Sequence, residues 1–403
     1  MSTSLDLASS DHDVSRQRPP VVDAPLTPRS TRVGFLSSAL PTPCGLATFT
    51  AALGGSMAQR GLDVGVIRVM DTLDDDDATG DDLPVWGRLV ALESSSRRAA
   101  VRALNDCDVV VVQHEYGLYG GQDGSEVVRV LEGVVVPVIT ILHTILASPT
   151  RHQRDVLNEV IRRSHDVVVM STYAATTLRA ANFIGATPVH VIAHGAQAVL
   201  DEKRTLVNET PEVLSWGLLG PGKGIEWVID ALAMLKDCRP LPHYTIAGRT
   251  HPKVLARQGD AYRDSLRRRV EANGVGPMVT FDDSYRDLAS LQRLIQQADL
   301  VVLPYDSLDQ ATSGVLVDAV AAGRPVVATA FPHALELLSS GAGIIVPQRN
   351  PPALAAAIRS VLEDPDRASA MASAARALAP ELSWDAVARR FGDLVTNCQR
   401  VGS

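Results

Sequence analysis

The sequence predicts an α/β protein built from two successive doubly wound domains of similar size, and three observations lead there. From Thr31 onward, short aliphatic runs alternate with helical stretches, the signature of βαβ units and a parallel sheet. Apolar residues make up 46% of the chain but aromatics only 4%, so the cores are aliphatic, as in strands covered by helices on both faces. At 403 residues the chain exceeds the roughly 250–300 at which a single core stops growing.

Taken in order, Met1 to Ser30 is rich in Ser, Asp and Pro and reads as a disordered tail. The first domain, 31–196, opens with the strand Arg32–Ser37 and the loop Pro41-Thr-Pro-Cys-Gly45. A helix follows to about Arg60, with Phe49, Leu53 and Met57 on one face and Gly61 closing it. Further strands read at Val64–Ile67, Val109–Val112, Val138–Leu142, Val167–Met170 and Val189–Ile192. Residues 197–211 are polar and charged, a linker. The alternation restarts in the second domain, 212–383, with strands at Val213–Gly217, Tyr244–Ala247, Met278–Phe281, Leu300–Leu303, Val326–Ala328 and Gly343–Val346. A closing helix near Asp385–Arg400, within 384–403, is separable from the second domain.

Composition excludes several classes. A net charge of −8 argues against a general nucleic-acid binder. Cys44, Cys107, Cys238 and Cys398 lack CxxC spacing, so neither a zinc site nor a disulfide framework is expected. The acidic run Asp74–Asp77 with Asp81 and Asp82 lacks the alternating ligand spacing of a calcium loop and reads as solvated. No apolar run reaches the ~18 residues of a membrane span, and no signal pattern opens the chain. A cytoplasmic protein is expected. Basic and apolar residues mix around Arg151–Arg163, which leaves peripheral membrane contact open beside an ordinary solvated helix face.

In open α/β sheets, ligands bind beyond the carboxyl ends of the strands. Gly45 stands there, before a helix start that favours negative charge. So do three imidazoles, His114, His143 and His194, suited to hydrogen-bond sugar hydroxyls or phosphate oxygens. In the second domain, Gly217-Leu-Leu-Gly-Pro-Gly222-Lys223-Gly224 resembles a phosphate loop but lacks the metal-binding hydroxyl residue after its lysine. It keeps glycine-freed amides, a helix start and the Lys223 charge. The densest segment carries Gln310, Thr312, Ser313, Gly314 and Asp318, with a helix beginning near Ser313. Gln310 and Asp318 are both expected to reach one ligand at that helix start.

This last segment resembles the retaining glycosyltransferases of family 4, which have the GT-B fold of two facing Rossmann-like domains. Ala319-Val-Ala-Ala-Gly-Arg-Pro-Val-Val327 matches the second half of their C-terminal signature. The likeness extends over the chain after the tail, including the Gly45 loop, His143, the Lys223-Gly224 turn and Ala247-Gly248. It implies transfer of a hexose from a nucleotide-sugar, GDP-mannose or a UDP-sugar, to a glycan, lipid or small-molecule acceptor. It implies no metal or other cofactor, and a closing helix that returns to the first domain. By resemblance Asp318 holds the ribose and Gln310 stands where the family has a sugar-binding glutamate. Lys223 and the Ser313-Gly314 amides hold the diphosphate, and His143 meets the donor sugar or the acceptor. Leu218 replaces the family's usual arginine, and Arg249, after Gly248, is the candidate substitute. Two other readings stand beside this one: a non-catalytic sugar-nucleotide sensor or partner subunit, and a sugar-nucleotide epimerase.

Overall fold

The alternating segments assemble into two helix-covered parallel sheets in the computed structural model, which describes residues 1, 30–42, 44–72, 83–181, 185–197, 210–284, 286–307 and 310–401. The expected tail, the acidic run Asp74–Asp82 and most of the expected linker lie outside the described residues. Thr31–Ser403 forms one compact unit.

The first sheet contains β1 (Arg32–Ser37), β2 (Asp63–Met70), β3 (Val85–Val90), β4 (Val109–His114), β5 (Val138–Leu142), β6 (Asp166–Val169) and β7 (Val189–Val191). Their order is β3-β2-β1-β4-β5-β6-β7, every pairing parallel. Between them run α1 (Gly45–Gln59), α2 (Ser94–Asn105), α3 (Glu126–Leu131), α4 (Arg151–Arg162) and α5 (Thr172–Ala180). The second sheet contains β8 (Glu212–Trp216), β9 (His243–Ala247), β10 (Val279–Asp282), β11 (Leu300–Leu303), β12 (Val326–Thr329) and β13 (Gly343–Val346). Their order is β10-β9-β8-β11-β12-β13, again all parallel. Its helices are α6 (Ile225–Ala233), α7 (Pro252–Gln258), α8 (Ala261–Ala272), α9 (Leu288–Gln297), α10 (Gly314–Ala321) and α11 (Pro332–Leu337). The last three are α12 (Pro351–Leu362), α13 (Pro365–Leu382) and α14 (Trp384–Val401).

The continuous Val run of β4 shows why these strands are apolar throughout. Val109 and Val111 enter the core beneath α1 and α14, while Val110 and Val112 enter the core beneath α2 and α3. Likewise Leu300 and Val302 of β11 face one helix layer and Val301 and Leu303 the other. The strand at 85–90 escapes a reading based on apolar runs. It lies at the sheet edge, and its Trp86, Gly87 and Arg88 break the run because one side remains partly open.

In each sheet the strand order reverses once, between β1 and β4 and between β8 and β11. Chains leave such neighbours in opposite directions, which opens a crevice at the carboxyl ends.

The closing helix packs on α1. Trp384 N–H donates to the Ala196 carbonyl at 3.1 Å, and Ala196 N–H to that of Leu382 at 2.7 Å. Val387, Phe391, Leu394 and Val395 then complete the core around Val33, Phe35 and Leu53. In α4, by contrast, the apolar side chains Val156, Leu157, Val160 and Ile161 are already buried. That helix has no apolar face left for a membrane surface, and the mixed pattern around Arg151–Arg163 is that of an amphipathic core helix. Among the described residues no helix is long and apolar enough to cross a membrane.

Phe391 is 1% exposed, so Phe391→Ala should cost about 3–5 kcal/mol by transfer and cavity terms. Chemical denaturation of both proteins measures this, and a loss near zero would mean that α14 does not complete the first core.

Candidate active site

The site begins where two loops touch at the second switch point. Gly224 precedes α6 with φ of +68°, and a Cβ there would lie 1.8 Å from the Pro304 carbonyl oxygen. Only glycine permits this approach of the β8–α6 loop to the β11–α10 loop. Asp306 N–H reinforces it by donating to the Gly222 carbonyl at 2.9 Å. Asp306 in turn accepts from Trp227 Nε1 at 3.0 Å and pairs with Arg349 at 3.2 Å. On the other side, a Cβ on Gly248 would lie 1.9 Å from the Gly217 carbonyl, so the loop after β9 presses equally closely.

Lys223 is held by this junction. Its Nζ stands 4.6 Å from the centre of the Tyr305 ring. Burial lowers its pKa, and among the described residues it forms no ion pair. A half-buried ammonium over an aromatic face, with no carboxylate beside it, has capacity for an anion. The Tyr305 hydroxyl is buried, and burial pushes its pKa up to about 12.

Beyond Tyr305 the chain is knotted before it enters α10. The Gln310 side-chain amide donates to the Thr312 carbonyl, while the Gln310 carbonyl accepts from His333 N–H at 3.3 Å. Ser313 N–H donates to His333 Nδ1 at 2.9 Å, and Ser313 Oγ caps the helix by accepting from Leu316 N–H at 3.2 Å. Gly314 is the first residue of the helix. The first turn carries no acidic residue, although Ser313 N–H is spent on His333 and Leu316 N–H on Ser313 Oγ.

Asp318 lies one turn further on and lines a small recess of about 30 Å³, open to solvent, with Gln197, Leu288, Leu291, Gln292, Ile295 and Ala322. Burial alone pushes its pKa up to about 7. Gln292 Nε2 in the same recess is buried and has no hydrogen-bond partner among the described residues. Gln310 does not line this recess. The two side chains face different neighbours: the Gln310 amide donates to the Thr312 carbonyl, and Asp318 opens between α9 and α10.

The first domain supplies the facing rim. His143 at the end of β5 bonds Gln113 through Nε2, and the rings of His143 and His194 both meet Phe49 edge-on at 5.0 Å. His194 Nδ1 donates to the Gly195 carbonyl at 2.6 Å, which leaves Nε2 as its acceptor nitrogen. That nitrogen lies 2.9 Å from where a Cβ on Gly314 would stand, so His194 reaches across to the start of α10. His114, whose carbonyl accepts from His143 N–H at 3.1 Å, packs edge-on against Tyr116 at 5.1 Å. Burial holds His114 and His194 at pKa about 4 and His143, with the other two beside it, at about 3. These imidazoles are neutral hydrogen-bonding groups at pH 7, not countercharges to phosphate. Gly45 begins α1, where the Cys44 sulfur accepts from Ala47 N–H at 3.4 Å, and a Cβ at Gly45 would meet nothing. Arg249 is exposed, with its Nε donating to the Asp283 carbonyl at 3.3 Å.

Cross-domain contacts flank the crevice. Glu336 of α11 accepts from Thr172 N–H at 2.8 Å and Tyr173 N–H at 3.0 Å, capping α5 of the other domain. Ser171 Oγ donates to the Ala311 carbonyl at 2.7 Å, and Lys253 Nζ to that of Gly117 at 3.3 Å. Sequence reasoning passed over Tyr305, Gln292, His333 and Glu336. Tyr305 and His333 stand just after β11 and β12, where the strand-end rule would have found them. Gln292 and Glu336 lie within helices and carry no such signal.

Residues 197–378 match the model of the family described as Glycosyl transferases group 1. The chain is 26% identical over 250 residues to a D-inositol 3-phosphate glycosyltransferase of Jonesia denitrificans, covering 56% of this chain and 55% of that protein. It is 28% identical over 231 residues to an alpha-D-kanosaminyltransferase of Streptomyces kanamyceticus, covering 54% and 56%. The matched region thus spans about half the length of these relatives. Among solved structures, sucrose-phosphate synthase from Thermosynechococcus elongatus superposes with a TM-score of 0.70 at 20% identity, over 91% of this chain and 98% of that one. Anabaena HepE in complex with UDP superposes with a TM-score of 0.69 at 19% identity, over 91% and 100%. The fold is GT-B, two Rossmann-like domains.

His114, His143, His194 and His333 all have pKa values depressed below the ordinary 6.5. The unfolded chain therefore binds more protons than the folded one as pH falls from about 6.5 toward 4, and stability is lost through that window. Unfolding free energies from urea titrations at pH 7 and pH 5 should differ by on the order of 1 kcal/mol per imidazole, with a shallower fall in His143→Gln. A flat profile would contradict the neutral, buried state of these rings.

Proposed function

We propose that the chain is a group 1 glycosyltransferase that transfers a hexose from a nucleoside-diphosphate sugar to an acceptor hydroxyl with retention of anomeric configuration. The observation that carries this reading is Lys223, an unpaired cation among the described residues, placed over Tyr305 beside the Ser313-capped start of α10 at a topological switch point. Lys223 and the positive end of α10 receive the diphosphate, and Asp318 receives the ribose. His143 meets the donor sugar, and the domain-spanning contacts close the crevice against water. Fixed donors in such a water-poor cleft stabilise charge developing on the leaving diphosphate without reorganising.

In the proposed step the acceptor oxygen attacks the anomeric carbon from the face that the diphosphate leaves. The carbon–oxygen bond to diphosphate breaks, the bond to the acceptor forms, and the acceptor proton passes to a diphosphate oxygen. Lys223 and the helix start supply the positive potential for this step, so no metal ion is invoked. The family-model match and the relatives' names support the class of reaction. The UDP complex of HepE supports a uridine nucleotide, and GDP-mannose also fits the sequence signature. The acceptor is a glycan, lipid or small molecule in the cytoplasm.

Lys223→Ala should lower turnover by roughly a hundredfold or more while leaving the circular dichroism spectrum unchanged, the scale seen when one transition-state donor is removed. Near-normal kinetics would reject the clamp. Asp318→Ala should chiefly weaken nucleotide binding, and an unchanged dissociation constant by calorimetry would remove Asp318 from the ribose site.

A further inference from the structure

The segment that leads into α10 is held from both domains. On its own side, His333 Nδ1 accepts from Ser313 N–H at 2.9 Å, and His333 N–H donates to the Gln310 carbonyl at 3.3 Å. Between these anchors lies Ala311, 3% exposed, which joins a core cluster of the first domain with Ile145, Ala174, Ala175 and Leu178. The Ala311 carbonyl accepts from Ser171 Oγ at 2.7 Å, and that same oxygen caps α5 by accepting from Ala174 N–H at 3.1 Å. The first two amides of α5, Thr172 and Tyr173, have their acceptor in the second domain, the Glu336 carboxylate at 2.8 and 3.0 Å. A helix start leaves such amides without intrahelical partners, and a carboxylate suits its positive end. Glu336 stands one turn beyond His333 on α11. That short helix therefore carries one anchor for the α10 entry and one for the first domain.

We infer that Ser171 and Glu336 are positioning residues for the start of α10, and that the first domain's α5 thereby sets the path of residues 310–313. Where this concerns the ligand it rests on the donor-site reading above; the holding of the segment does not. Neither side chain is among the groups given to the donor, and both act through others. Ser171 fixes Ala311 directly. Glu336 fixes α11, and with it the His333 ring that receives the Ser313 amide. Gln310, Ala311 and Ser313 are thus tied at three points within four residues, two from α11 and one from α5. Release of the middle point frees the backbone that presents Ser313, whose Oγ accepts from Leu316 N–H at 3.2 Å to begin α10. The second domain's site is in this sense completed by the first domain's helix start.

Amide hydrogen exchange on the full chain without nucleotide compares wild type with Ser171→Ala and Glu336→Gln, each first shown to be folded by circular dichroism. The glutamine keeps the shape of the side chain but loses its charge and one of its two acceptors. Residues 310–316 should exchange about tenfold faster in both variants, the equilibrium factor for one lost hydrogen bond. The strands of both sheets should exchange as in wild type, and they serve as the reference for general destabilisation. Calorimetry with UDP and GDP then reads the site itself. Whichever nucleotide binds the wild type should bind both variants about tenfold more weakly. Unchanged exchange at 310–316 in either variant, or a rise matched by the reference strands, overturns the inference for that residue. So does an unchanged dissociation constant for a nucleotide that the wild type binds. If the wild type binds neither nucleotide, faster exchange at 310–316 supports the positioning role and counts against the donor site. Equal nucleotide binding with unchanged exchange leaves the donor site standing and removes Ser171 and Glu336 from its support.

Discussion

The Pro304 carbonyl lies where a side chain on residue 224 would have to go, and the rest of the site depends on that contact. It presses the loop after β8 onto the loop after β11, the two strands between which the sheet order reverses. Once those loops touch, Lys223 has the Tyr305 ring beneath it, and the chain beyond Tyr305 leads through the Gln310–His333–Ser313 knot into α10. A cation and a helix start thus converge without any direct bond between them. The cost is a left-handed backbone that only glycine adopts readily, and the gain is a preformed anion site.

Charge is distributed sparingly around this point. The second domain offers Lys223 and the positive end of α10, while the first domain offers imidazoles kept neutral by burial. Asp318 is also held partly protonated near neutral pH by its recess. An anionic ligand would therefore meet positive potential from one side and hydrogen bonds from the other. In a low-dielectric crevice that asymmetry fixes orientation more strongly than a ring of charges exposed to water.

Much of this was legible in the sequence because parallel strands buried on both faces leave uninterrupted aliphatic runs. The runs at Val109–Val112, Val138–Leu142 and Gly343–Val346 mark strands to within two residues. The edge strand Val85–Val90 was not legible, since one open side admits Gly and Arg. At the site, the rule that ligands lie beyond strand ends locates Lys223, His143, His194 and the start of α10. It does not say which way a side chain turns. The Gln310 amide turns back onto its own loop, Arg249 turns out to Asp283, and Asp318 faces α9. Those directions are set by tertiary neighbours such as Leu288, Leu291 and His333, which no local pattern connects to the signature segment.

Thermal unfolding of the purified chain with UDP, GDP, ADP and dTDP tests the central claim, with Lys223→Ala as control. A nucleotide at 100 times its dissociation constant should add about 2.7 kcal/mol of stability, a clear upward shift in wild type that the variant lacks at the same concentration. If none of the four shifts the wild type, or if Lys223→Ala shifts equally, the junction of Lys223 and α10 is not a nucleotide site and the account fails at its base.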